Sequence, residues 1–102
     1  MDEAFALQVT QNARGPVVRL AGDLDLDAAS AFEASLRSIC GELVTIDFSD
    51  VTFMDSTALG VLVAAHNRAA LEGGEILLHG VQPNQMRIFE ITGLTDRFKF
   101  DP

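Results

Sequence analysis

A chain of 102 residues, 48 % of them hydrophobic, has the length for a single core and the composition of a packed globule rather than a disordered chain. Fifteen acids against seven bases give a net charge of −8. That balance excludes the clustered Lys and Arg that grip nucleic acid or an anionic membrane surface, and it favours a basic protein partner.

The acidic start, Met1–Leu7, has no basic n-region, so no secretory leader is expected. Phe5, Leu7 and Val9 alternate and predict a first strand with those three on one face. Asn12–Gly15 reads as a turn, and Pro16–Gly22 as a second strand paired with the first as a hairpin. Asp23–Asp27, the stretch DLDLD, breaks it. Asp27 reads as the N-cap of an amphipathic helix over Ala28–Cys40, whose apolar face carries Ala28, Ala29, Phe32, Leu36, Ile39 and Cys40. Gly41 stops that helix. Cys40 is the only cysteine, so no internal disulfide forms. It reads as a buried small hydrophobe, and a reducing, cytoplasmic compartment is expected.

Leu43–Phe48 predicts a central strand, with Val44, Ile46 and Phe48 alternating. Ser49–Asp55 reads as a loop. A helix follows over Ser56–Glu72, closed by Gly73–Gly74. Glu75–Val81 is a strand. Pro83 starts a helix that runs through Met86, Ile88, Phe89 and Ile91 and ends at Gly93. Arg97–Phe100 is a last short strand. The order β-β-α-β-α-β-α-β predicts one α/β domain over residues 1–102, with a mixed, mostly parallel sheet. The longest apolar run, Val61–Ala65, falls far short of the ~20 residues that cross a bilayer, so no membrane insertion is expected.

Enzyme readings fail on their missing parts. DLDLD after a strand has the look of a phosphotransferase D-x-D, but Asp27 stands where a hydroxyl or branched residue belongs. A phospho-receiver needs a lysine near its acidic pocket, and the only lysine is Lys99 near the C-terminus. His66 and His79 fall on a helix and a strand without ligand spacing; His66 reads as a solvated helix residue and His79 as a strand-end or partly buried one. Neither a nucleophile elbow nor a P-loop is present. No catalytic residue, metal or cofactor is expected.

The pair Asp55-Ser56 is different. Asp55 stands where an N-cap is needed, and Ser56 at the first helical position. A simple capping pair is one reading. A serine that accepts phosphate is the other, because a helix N-terminus offers free N–H groups and a positive dipole end to an added charge of about −1.5 to −2. The helix behind is apolar most of the way round, so either the domain or a partner covers it. Small residues, Ala58 and Gly60, open its first turns to a close approach.

The segments GDLD (Gly22–Asp25), TIDFSDVTFMDSTALGVL (Thr45–Leu62) and GGEILLHGVQPNQMRIFEITGL (Gly73–Leu94) together resemble the STAS domain family, most closely its stand-alone bacterial anti-sigma factor antagonists. The resemblance covers essentially the whole chain. It implies a small α/β STAS fold and a role in transcription regulation. Ser56 matches the serine phosphorylated by an anti-sigma factor that is also a GHKL-type serine kinase, with Thr57 a secondary candidate. Unphosphorylated, the protein would bind that kinase and free the sigma factor; a PP2C-type phosphatase would reset it. Asp23 and Asp25 match the loop beside the phosphosite. With Asp55, Ser56 and Thr57, then Ala58, Leu59 and Gly60, they form the implied partner surface. Relatives usually carry glycine where this chain has Ala58. STAS domains also serve as subunits of lipid or anion transport complexes and of stressosomes, which remain alternative readings.

Overall fold

The computed structural model describes residues 5–39 and 43–101; the expectations for Cys40 and Gly41 lie outside the described residues. β1 (Ala6–Asn12) and β2 (Gly15–Leu24) form an antiparallel hairpin. Asn12 closes its two-residue turn: Oδ1 accepts from the Arg14 amide at 2.8 Å. Leu7 and Val9 face Leu20 and Val18, as the alternation requires. Val9 nonetheless stays 46 % exposed, because β1 is the edge strand.

β2 runs on to Leu24, so Asp23 is a strand residue and the break expected there is absent. This moves the cap of the next helix. Asp25, not Asp27, is the N-cap of α1 (Leu26–Ser38), and its Oδ1 accepts from the Ala28 amide at 3.1 Å. Asp27 lies in the first turn, where its charge suits the helix dipole.

β3 (Leu43–Met54) replaces the loop expected at Ser49–Asp55. It stays paired with β2 as far as Leu24↔Met54 by slipping register twice. Gly22, at φ 85°, sits beside one slip in a conformation that suits glycine. On its other side, β3 pairs with β4 (Glu75–His79) only as far as Asp47↔His79. Beyond that point side chains at the start of α3 (Pro83–Ile91) replace a strand. Gln82 Nε2 donates to the carbonyls of Ser49 (2.8 Å) and Val51 (3.3 Å), and Gln85 Nε2 donates to Val51 at 2.9 Å. Gln85 Oε1 in turn accepts from the Gln82 amide at 3.2 Å.

α2 (Ser56–Leu71) ends at Glu72, and the Gly74 amide donates to the Ala69 carbonyl at 2.7 Å. β5 (Lys99–Asp101) completes one five-stranded sheet in the order β1-β2-β3-β4-β5, with every pair after the first parallel. Right-handed crossovers that step always in one direction put all three helices on one face. The core agrees: Val18, Leu20, Ile46, Phe48 and Leu78 of the sheet share one cluster with Phe32 of α1, Leu62 of α2 and Phe89 of α3. The domain therefore covers α2 itself. His66, expected in solvent, is half-buried with its ring 5.2 Å from that of Phe98.

Among the described residues the opposite face carries no helix. Register lines up Arg19, Asp47, His79 and Asp101 across it. Arg19 Nε lies 3.5 Å from Asp47 Oδ2, and His79 Nδ1 3.2 Å from Asp101 Oδ2. Burial opposes the charge on Asp47. Hydrogen bonds from Ser49 and the positive charges of His79 and Arg19 outweigh it and hold the carboxyl below its ordinary range.

Candidate functional site

Two strand-to-helix turns stand side by side at the C-terminal end of the parallel strands. In one, Leu24 leads through Asp25 into α1; in the other, Met54 leads through Asp55 into α2. Leu24 and Met54 are register partners, so the two caps are held at the same level. The Asp55 amide donates to the Leu24 carbonyl at 3.3 Å and ties the second turn to the first.

Asp55 is the N-cap of α2, as the sequence indicates. Its Oδ1 accepts from the amides of Thr57 (3.0 Å) and Ala58 (3.2 Å), and its carbonyl from Leu59 (3.3 Å). Ser56 occupies the first helical position and is exposed, as are Thr57 and Gly60. A methyl group added at Gly60 would meet nothing within 4 Å. Ala58 is different. It is 0 % exposed and part of the core, so it offers no side chain to a visitor and corrects the expectation of an open approach there. Leu59, at 6 %, is inward as well.

Asp23 and Asp25 join the site from β2 and the first cap. Asp23 accepts from the Thr52 hydroxyl at 2.7 Å, a partner hidden from sequence reading because Thr52 was expected in a loop. Asp25 spends one carboxylate oxygen on its own helix. Two large apolar side chains also stand exposed near these strand ends, Phe53 at 50 % and Leu26 at 67 %. The whole makes an acidic, partly apolar surface around the exposed Ser56 and Thr57. A concavity of about 180 Å³ among Leu36, Val44, Arg68 and Ile76, and one of about 220 Å³ beside Val81, Met86 and Phe100, include none of these residues. Among the described residues no group of three His, Cys, Asp or Glu is placed to hold a metal ion, and no helix is long and apolar enough to cross a membrane. The surface is open, and the Ser56 hydroxyl is exposed on it.

Comparison with known proteins gives a coherent picture. A family model, the STAS domain, matches residues 4–102. The anti-sigma-B factor antagonist of Bacillus subtilis (strain 168) is 34 % identical over 92 residues, covering 88 % of this chain and 84 % of the relative. Among solved structures, an anti-sigma factor antagonist from Mycobacterium paratuberculosis superposes with a TM-score of 0.83 at 26 % identity, over 97 % of this chain and 86 % of the other. The anti-sigma factor antagonist SpoIIAA in its unphosphorylated form gives 0.80 at 22 % identity, over 95 % and 89 %, and this likeness speaks to the fold alone.

Proposed function

The chain belongs to the STAS domain family, and from that premise we propose that it is an anti-sigma factor antagonist switched by phosphate at Ser56. Unphosphorylated, it binds an anti-sigma factor that is also a serine kinase and so releases the sigma factor. The kinase moves the γ-phosphoryl group of ATP to Ser56 Oγ; ADP leaves, and the hydroxyl proton passes to a base on the kinase. A phosphatase of the PP2C type reverses the change. The relative from Bacillus subtilis, named for antagonism of an anti-sigma factor, supports the regulatory role.

One observation carries the switch: Ser56 is an exposed hydroxyl at the first position of a helix whose cap, Asp55, already satisfies the amides of Thr57 and Ala58. The hydroxyl is thus free of structural duty. A phosphate there gains from the helix dipole, so the fold tolerates it. Asp55, Asp23 and Asp25 stand near it, and the added charge of roughly −2 makes this end more repulsive to any acidic contact. The phosphate therefore changes what docks and leaves the fold as it is.

Incubation with candidate GHKL-type kinases and ATP, followed by phosphate mapping, tests the reading. Wild type is expected to take one phosphate, at Ser56, and Ser56→Ala none. Ser56→Ala should keep the kinase bound and Ser56→Asp should release it. Label that persists in Ser56→Ala and disappears in Thr57→Val would move the site to Thr57. Equal kinase affinity for wild type and Ser56→Asp would remove the switch.

A further inference from the structure

On the helix-free face of the sheet, one row sets Arg19 and His79 in alternation with the carboxylates of Asp47 and Asp101. Strand register sets Arg19 beside Asp47, Asp47 beside His79, and His79 beside Asp101, from β2 to β5. We propose that this line is self-complementary and that the protein pairs with a second copy of itself across it.

Adjacent strands lie about 4.8 Å apart, so the four residues stand at nearly equal intervals. A two-fold axis parallel to the strands, midway between β3 and β4, reverses their order. Arg19 then lies on Asp101 of the second copy, and Asp47 on His79 of the second copy; the symmetry repeats both contacts. A two-fold axis along the line itself sets each residue on its own twin, Arg19 on Arg19 and Asp47 on Asp47, and like charges oppose that arrangement. The pattern selects one orientation.

The neighbouring row agrees. Val17, Thr45, Leu77 and Lys99 are register partners across the same four strands. The same reversal lays the Lys99 stem on Val17 and the Thr45 methyl on Leu77, apolar on apolar, with the ammonium held by Glu75 of its own chain. The net charge of −8 opposes self-association in general. These two rows carry less of it: Arg19 stands against Asp47, Lys99 is paired with Glu75 of its own strand neighbour at 2.7 Å, and Asp23, Asp25 and Asp55 stand at the strand ends. Each charge on the line also keeps a lateral neighbour within its own chain. Stacking adds a second partner and strands no charge without one, which limits the desolvation penalty.

The patch is about 19 Å wide and, over about five residues per strand, about 17 Å long. That is small for a specific interface, so the pair is weak and concentration-dependent. It leaves Ser56 uncovered and does not depend on the phosphate switch.

Sedimentation equilibrium from about 10 µM to about 1 mM, the range of a small interface, tests the proposal. Wild type is expected to show a reversible dimer. Arg19→Asp puts carboxylate on Asp101 of the second copy, and Asp101→Arg puts guanidinium on Arg19. Each variant alone is expected to pair about tenfold more weakly, or less still. Mixed in equal amounts they are expected to pair again. The two introduced residues meet in one contact, and the native Arg19 and Asp101 meet in the other. A folding defect is not repaired by mixing, so recovery reads the contact itself. A wild-type monomer throughout the range overturns the proposal. So does a dimer indifferent to both substitutions, or variants that stay apart when mixed.

Discussion

Gln85, buried at the start of α3, donates its side-chain amide to the carbonyl of Val51 at 2.9 Å, although 34 positions separate them. With Gln82 it satisfies the stretch of β3 that has lost β4 as its neighbour on that side, just before the turn into Ser56. Gln85→Leu strips a donor from Val51 and an acceptor from the Gln82 amide. A buried loss of this kind costs about 1–3 kcal/mol. Urea denaturation should register that loss, and amide exchange should quicken along Val51–Ser56. Unchanged exchange there would mean that the glutamine holds α3 alone.

The cap on α2 gives a second expectation. Asp55→Ala leaves the Thr57 and Ala58 amides without their acceptor and should cost about 1 kcal/mol. Asp55→Asn keeps an oxygen in place and should cost less. Thermal melts of the two variants against wild type separate these outcomes.

Ala58 matters for packing. Ala58→Gly loses a buried methyl group and helix propensity, together about 1–2 kcal/mol. Because the side chain is fully inside, kinase affinity measured by calorimetry should stay within about twofold once the variant is folded. A large affinity change with little loss of stability would assign Ala58 to the interface instead.

Two glycines should respond to alanine in opposite directions. Gly60 lies in a helix with open space around it, so Gly60→Ala should stabilise by up to about 1 kcal/mol. Gly80 sits at φ +70°, and a Cβ there would come within 3.1 Å of the Ser49 backbone. Gly80→Ala should destabilise by more than about 1 kcal/mol. Chemical denaturation of both variants checks the pair.

Asp47 sets a pH dependence. Its folded carboxyl titrates below the ordinary range, so its ionisation favours the fold. That contribution is complete above the unfolded value of about 3.9 and is lost as pH falls through the folded one. Asp47→Asn should therefore be less stable than wild type at pH 7, with the deficit closing below about pH 4. Parallel stability curves at every pH would contradict the assignment.

The element order and the Asp55 cap were legible because periodicity and turn chemistry are local. The second half of β3 was not. Its exposed residues come in twos, Ser49-Asp50 and Thr52-Phe53, around buried Val51, so the period of two disappears where the register slips. The glutamines that satisfy its carbonyls lie over thirty positions away. The first helix cap failed for another reason. DLDLD offers three equivalent aspartates, and only the pairing of Leu24 with Met54 decides that Asp25 is the one at the turn. The inward turn of Ala58 likewise belongs to tertiary packing, since α2 is apolar on several sides.

The sheet is polar in the sense of direction: β2 to β5 all run the same way, and Ser56 follows the far end of β3. The hairpin turn Ala13–Arg14 and the Gly73-Gly74 connection therefore lie at the other end of the molecule. Gly73 has open space where a side chain would sit. A fluorescent reporter or affinity handle spliced between Gly73 and Gly74 would point away from the serine, which makes that connection the natural place to tether the protein to a sensor surface.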